Sequence, residues 1–309
     1  MAANLSHQSP KEVIMIRPAA FGFDEDTMAS NAFQNLPKDS EKKVHEQALE
    51  EFDQVVHLLK ANGVTVVVFN DQPLPAKPDA IFPNNWFSTH ADGSVFIYPM
   101  MAASRRLEQR SDIIKYLEDV HKVTRLTDLK KYEDDGLFLE GTGSIVFDHL
   151  YRRAYACQSS RTHPNLLRMV CTALDFEPVI FQASDSSGKP IYHTNVMMWI
   201  GTMVAAVCID AITDPNEKVM VSNELKSTGR EILWLSHAEM MAFAGNCLEL
   251  RTRQEQELVL AISHTAVKAL SPLNLAALQR QLRLIEVHIP TIEAVGGGGV
   301  RCMLAGVHL

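Results

Sequence analysis

One short order of secondary structure recurs along the chain, and this recurrence constrains the fold more than any single motif. Phe87–Thr89 and Val95–Tyr98 read as two strands joined through the turn pair Asp92-Gly93, Ser104–His121 has helical spacing, and Lys122–Leu126 reads as a strand. The order returns with strands Gly143–Phe147 and Tyr155–Gln158, helix Pro164–Leu174 and strand Pro178–Ala183. It returns again with strands Asn195–Ile200 and Val204–Ile209, helix Asp214–Ser227 and strand Glu231–Leu235. The last copy holds Cys247–Arg251, Leu258–Ser263, helix Leu273–Leu282 and Ile285–His288. Upstream, Val13–Ile16 reads as a strand, Glu41–Ala61 as a helix and Val64–Phe69 as a strand. The period is roughly 50 to 60 residues, longer than that of solenoid repeats. Four or five ββαβ units without linkers predict a single α/β domain over residues 1–309, closed on itself, with strand ends meeting near a central axis. A pocket there would gather side chains from distant parts of the chain.

Composition narrows the chemistry. A hydrophobic fraction of 46% with 21% charged residues is that of a globular protein, and a net charge of −8 argues against nucleic acid or an anionic membrane as partner. The five cysteines, at 157, 171, 208, 247 and 302, are odd in number and contain no CxxC pair, which disfavours a disulfide framework or a zinc site and predicts a reducing, cytoplasmic setting. Met1–Pro10 lacks the apolar core of a signal peptide, and no apolar run is long enough for a membrane span. With no HExxH, P-loop or GxGxxG motif, neither metal nor organic cofactor is expected, and a small-molecule substrate is. A homodimer is left open.

Cys302 stands just behind Gly296-Gly-Gly-Gly299 and is followed by Met303, Leu304 and Val307, core-type residues that a frayed tail would rarely carry. Glycines let backbone approach a ligand closely, so the run can wall a pocket around this thiol. A thiol with a free pKa of about 8.5 needs activation, and among 12 histidines only His193 opens a strand, in Tyr192-His-Thr-Asn195. Glu140 lies between an apolar run and a glycine turn, in Phe138-Leu-Glu-Gly-Thr-Gly143. Taken singly, the histidine reads as a satisfied polar residue, Glu140 as a turn residue, and Arg105 and Arg161 as surface charges.

As an ordered set, Pro78-Asp79, Phe82-Pro-Asn-Asn85, Ser104-Arg-Arg106, Glu140-Gly141, Ser160-Arg-Thr162, His193-Thr-Asn195 and the glycine-led Cys302 resemble the pentein superfamily of guanidino- and ureido-group enzymes. The resemblance covers nearly the whole chain. It implies a five-bladed α/β propeller of ββαβ modules with pseudo-fivefold symmetry. It also implies Cys302 as nucleophile, His193 as general acid/base, and Glu140 binding substrate nitrogen and supporting the histidine. Arg105 and Arg161 would hold the α-carboxylate of an amino acid, and Asp79 matches the acidic residue of the substrate loop.

Where deiminases of this superfamily place carboxylates around a cationic guanidinium, this sequence has Asn84-Asn85 and Asn195. A buried cation wants an anion, whereas a neutral ureido group wants one donor and one acceptor per contact, which an amide supplies. The Phe-Pro-Asn-Asn-Trp86 loop also resembles that of the citrulline ureidohydrolase branch. The expected reaction is therefore hydrolysis of citrulline to ornithine, carbon dioxide and ammonia through a covalent Cys302 intermediate. The alternatives are an arginine or dimethylarginine deiminase-type hydrolase giving citrulline, an amidinotransferase, or a non-catalytic propeller of the ribosome anti-association kind.

Overall fold

The computed structural model describes residues 7–253 and 257–309, so the first six residues of the polar N-terminal segment lie outside the described residues. Five three-stranded sheets surround a common axis. The first joins both ends of the chain. In it β1 (Glu12–Arg17) runs parallel to β2 (Thr65–Asn70) and antiparallel to β15 (Ala305–Val307), with Glu12 opposite Val307. The others are β3 (Phe87–Thr89), β4 (Ser94–Ile97) and β5 (Arg125–Asp128); β6 (Val146–Asp148), β7 (Arg153–Cys157) and β8 (Glu177–Phe181); β9 (Met198–Ile200), β10 (Val204–Val207) and β11 (Glu231–Trp234); and β12 (Leu248–Arg251), β13 (Leu258–Ser263) and β14 (Arg283–Val287).

In every sheet the first pair is antiparallel and the third strand is parallel to the second. A parallel neighbour cannot be reached by a tight turn, so each unit needs a crossover helix. These are α1 (Glu41–Ala61), α2 (Ser111–Val120), α3 (Pro164–Leu174), α4 (Pro215–Lys226) and α5 (Pro272–Gln281). Their starts are written locally: Ser40 accepts from the Lys43 N–H, Asp214 from Asn216 and Glu217, and proline opens α3, α4 and α5. Val44, Ala48, Phe52, Val55 and Leu59 of α1 are buried in one apolar cluster with Val13, Met15 and Val66, each large side chain contributing about 1.5–3 kcal/mol by burial. The architecture is a five-bladed α/β propeller.

Strands β3, β6, β9, β12 and β15 are innermost and touch one another around the axis, as β15 does β3 and β9 does both β6 and β12. A buried ion pair ties two blades: Arg230 donates to both carboxylate oxygens of Asp148, at 2.6 and 2.9 Å. Four sequence boundaries shift. The helix expected over Ser104–His121 splits into a turn at Ala103–Arg106 and α2 from Ser111, because Arg105 and Glu108 turn inward and are buried. The strands expected from Gly143 and Asn195 start at Val146 and Met198, since Gly141–Ser144 and Thr194–Val196 form helical turns. Strand β5 begins at Arg125, as the Thr124 and Arg125 N–H groups both donate to the Gly93 carbonyl first. Among the described residues no helix is long and apolar enough to cross a membrane.

Candidate active site

Each innermost strand is entered from a turn, and these turns meet at one end of the axis. Pro83–Asn85 precedes β3, Gly141–Ser144 precedes β6, Thr194–Val196 precedes β9, and Val300–Met303 precedes β15. Before β12 the same place is filled by a loop containing Phe243 (φ 66°), with Asn246 at its end. Asn85, Glu140, His193, Asn195, Asn246 and Cys302 thus come from five blades.

Cys302 is 3% exposed, and its Sγ accepts hydrogen bonds from Asn195 Nδ2 at 3.4 Å and Asn246 Nδ2 at 3.3 Å. His193 Nε2 donates to Glu140 Oε2 at 2.8 Å, and Glu140 also accepts from Arg161 Nη1 at 3.4 Å and from the Met101 N–H at 3.0 Å. A carboxylate only accepts, so the proton of the neutral ring sits on Nε2 and the lone pair on Nδ1. Burial works against the charge of Glu140, but Arg161, His193 and Arg105 overcome it and hold the carboxyl well below the usual range. Burial outweighs Glu140 at His193 and lowers its pKa to about 4. Burial likewise pushes the Cys302 thiol up, against the pull of the Asn246 and Asn195 amides. The resting pair at neutral pH is a thiol and a neutral imidazole.

The two arginines are held by protein groups. Arg105 donates side-on to Glu108 through Nε and Nη2, both at 2.9 Å, and also to Asn85 Oδ1 at 2.7 Å and the Phe82 carbonyl at 3.2 Å. Arg161 donates to Ser30 Oγ at 3.0 and 2.6 Å and to the Thr27 carbonyl at 3.1 Å, and lies 5.0 Å over the Tyr192 ring. Asp79 accepts from Thr27 Oγ1 at 3.4 Å and faces Arg105 at 3.9 Å; burial lifts its carboxyl to about 6, against Arg105. Asp79 Oδ1 and Asn85 Nδ2 have no hydrogen-bond partner among the described residues. Asn84 is set apart: it does not line the cavity, neither amide atom is partnered, and its carbonyl accepts from Thr142.

Asp79, Asn85, Arg105, Arg161, His193 and Cys302 line a cavity of about 10 Å³, room for about one water. An open cleft of about 850 Å³ shares Tyr192 with it. The glycine run forms one wall. Gly297 takes a left-handed φ of 63°, and a Cβ on Gly298 would come within 2.9 Å of the Phe82 ring. Among the described residues no group of three or more His, Cys, Asp or Glu side chains is placed to hold a metal ion. The sequence reading did not single out Glu108, Asn246, Tyr192 or Ser30. Only Asn246 carried a usable signal, because it falls where the other blades place their site residues, just ahead of the innermost strand.

The fold is shared by ArgZ, an arginine dihydrolase from the ornithine-ammonia cycle in cyanobacteria, at 17% identity and a TM-score of 0.73. The alignment covers 96% of this chain and 40% of full-length ArgZ, so the chain spans less than half of that protein. Against the N-terminal domain of ArgZ alone, in a Cys-to-Ser variant bound to substrate, the coverage is 96% and 97% at 16% identity and a TM-score of 0.73. DDAH from Pseudomonas aeruginosa, in a Cys-to-Ser variant complexed with citrulline, aligns at 15% identity and a TM-score of 0.66, over 96% of this chain and 99% of that one. No curated protein matches the chain in sequence. The family profile described as "N,N dimethylarginine dimethylhydrolase, eukaryotic" matches residues 17–309. With the propeller and its shared fold, this match means that the chain belongs to the dimethylarginine dimethylhydrolase family of the pentein superfamily, hydrolases of carbon–nitrogen bonds in guanidino groups.

Proposed function

We propose that the chain hydrolyses the ureido group of citrulline to ornithine, carbon dioxide and ammonia. The observation that carries this reading is the orientation of Asn85. Its Oδ1 accepts from Arg105 Nη1 at 2.7 Å, and because a guanidinium only donates, the amide cannot be turned round. Asn85 Nδ2 is therefore a buried donor without a partner, beside the histidine: a Cβ on Gly143 would lie 2.3 Å from it and 2.8 Å from His193 Nδ1. A guanidinium offers only N–H groups and would meet it donor to donor, whereas a ureido oxygen accepts from it. The unpartnered Asp79 Oδ1 takes a ureido N–H. Leaving such buried groups unpaired costs about 1–3 kcal/mol each, which gives the site its discrimination.

As Cys302 Sγ attacks the ureido carbon, its proton passes to His193 Nδ1, and the ionised Glu140 stabilises the imidazolium. His193 then protonates the departing δ-nitrogen; the C–N bond breaks, ornithine leaves, and a carbamoyl thioester remains on Cys302. Water deprotonated by His193 cleaves the S–C bond, restoring the thiol and releasing carbamic acid, which decays to carbon dioxide and ammonia. Arg161 receives the α-carboxylate in exchange for Ser30, while Arg105, filled by Glu108, fixes the loop that carries Asp79 and Asn85. Asn195 contacts the thiol, and no cofactor takes part in any step. The test is to incubate the protein with L-citrulline and, separately, with L-arginine and dimethylarginine, and identify the products by mass spectrometry. Ornithine from citrulline is expected; citrulline formed from either guanidine, with no ornithine from citrulline, overturns the proposal.

A further inference from the structure

We propose that Asn246 is a catalytic residue, which together with Asn195 holds the Cys302 thiolate through two amide N–H groups. The inference rests on Cys302 being the nucleophile but not on which substrate it attacks. Asn246 Nδ2 donates to Cys302 Sγ at 3.3 Å and to the Asn195 carbonyl at 2.9 Å. The carbonyl only accepts, so the amide orientation is set and the NH₂ must face the sulfur. The loop that carries it is built tightly. Phe243 takes a left-handed φ of 66°, and a Cβ on Gly245 would lie 2.3 Å from the Val196 carbonyl, in the turn that bears Asn195. Asn246 is 1% exposed and occupies in its blade the place that Cys302, Asn195 and Asn85 occupy in theirs, two or three residues ahead of the innermost strand.

The chemistry explains why two neutral donors stand here. The thiol is buried, which disfavours its charged form; the Asn246 and Asn195 amides offset this more than the charges of Arg301 and Arg105 do, and Glu108 and Asn85 already occupy most of the Arg105 fork. Donors fixed on the protein then have to accept the developing charge, as preorganised N–H groups do for an oxyanion.

The test is the rate at which a haloacetamide alkylates Cys302, followed by intact mass across a range of pH in the wild type, Asn246→Ala and Asn246→Asp, with Cys302→Ser as the zero. Below the thiol midpoint the rate follows the thiolate fraction, and losing a donor worth about one pKa unit lowers it about tenfold. Asn246→Ala is expected to show that loss at every such pH. Asn246→Asp, which keeps the shape and replaces the donor by an anion, is expected to lose more. If Asn246 only fills space, the order reverses, with Asp close to wild type and Ala impaired; that result, or a wild-type Cys302 that never reacts, overturns the proposal. Since no substrate is turned over, the outcome is separate from whether ornithine is formed from citrulline.

Discussion

Replacing Asn85 by Asp changes one atom of the candidate site and leaves its scaffold in place. Arg105 Nη1 already donates to the Oδ1 position at 2.7 Å, so the new carboxylate keeps its anchor and the substrate loop keeps its shape. What changes is the atom that faces the cavity beside His193, from an N–H to an oxygen. Two effects follow. The hydrogen bond to the ureido oxygen, which gains charge as Cys302 attacks, is lost at about 1.5–3 kcal/mol. An anion about 3 Å from that oxygen also repels it, by about 5 kcal/mol at an effective dielectric of 20 for full charges. Screening and partial charge reduce the second figure, yet the first alone is worth about tenfold to a hundredfold, so kcat/KM for citrulline should fall by about a hundredfold or more. The assay is ornithine release under initial-rate conditions, with thermal melting to show that the fold is retained. A folded Asn85→Asp protein that stays within about threefold of wild type on citrulline would refute the role given to this amide.

Gly143→Ala should cripple turnover and cost about 1–3 kcal/mol of stability, because the new methyl would lie 2.3 Å from Asn85 Nδ2 and 2.8 Å from the His193 ring; full activity would show that the ring need not stay where it is. Arg230→Ala should destabilise the protein by about 3–5 kcal/mol in denaturant melts, since it leaves the carboxylate of Asp148 buried without its cation. His149, stacked on His308 at 4.1 Å, is lowered by burial to about 4 from an ordinary 6.5. Between those values the folded protein binds fewer protons than the unfolded chain, so this residue's share of stability is lost as pH falls from 6.5 towards 4. His149→Asn should therefore make the acid limb of the stability profile shallower, by on the order of 3 kcal/mol across the window; an unchanged limb would contradict it.

The blades were legible because their parts are local. Hairpins, capped helices and the third strand of each unit are written within a few tens of residues, and Asp92-Gly93 turns as its composition predicts, with Gly93 at a φ of 85°. The closure of the ring was less so, since β15 pairs with β1 across nearly the whole chain and each offers only a short apolar run. The helix around Arg105 misled for a physical reason. Helical spacing is satisfied by Arg105 and Glu108, three apart, and nothing local says that both turn inward to bind each other. Cys302, His193 and Glu140 drew notice because their side chains carry chemistry. Asn246 is an ordinary residue type in a Gly-Asn turn, and only its place in the repeat marks it.

The most direct measurement is the mass of the covalent adduct trapped on Cys302 by acid quenching during turnover. The account predicts a carbamoyl group on the Cys302 peptide when citrulline is the substrate, and no adduct in Cys302→Ser. An amidino group on Cys302 from arginine, with no carbamoyl adduct from citrulline, would contradict it.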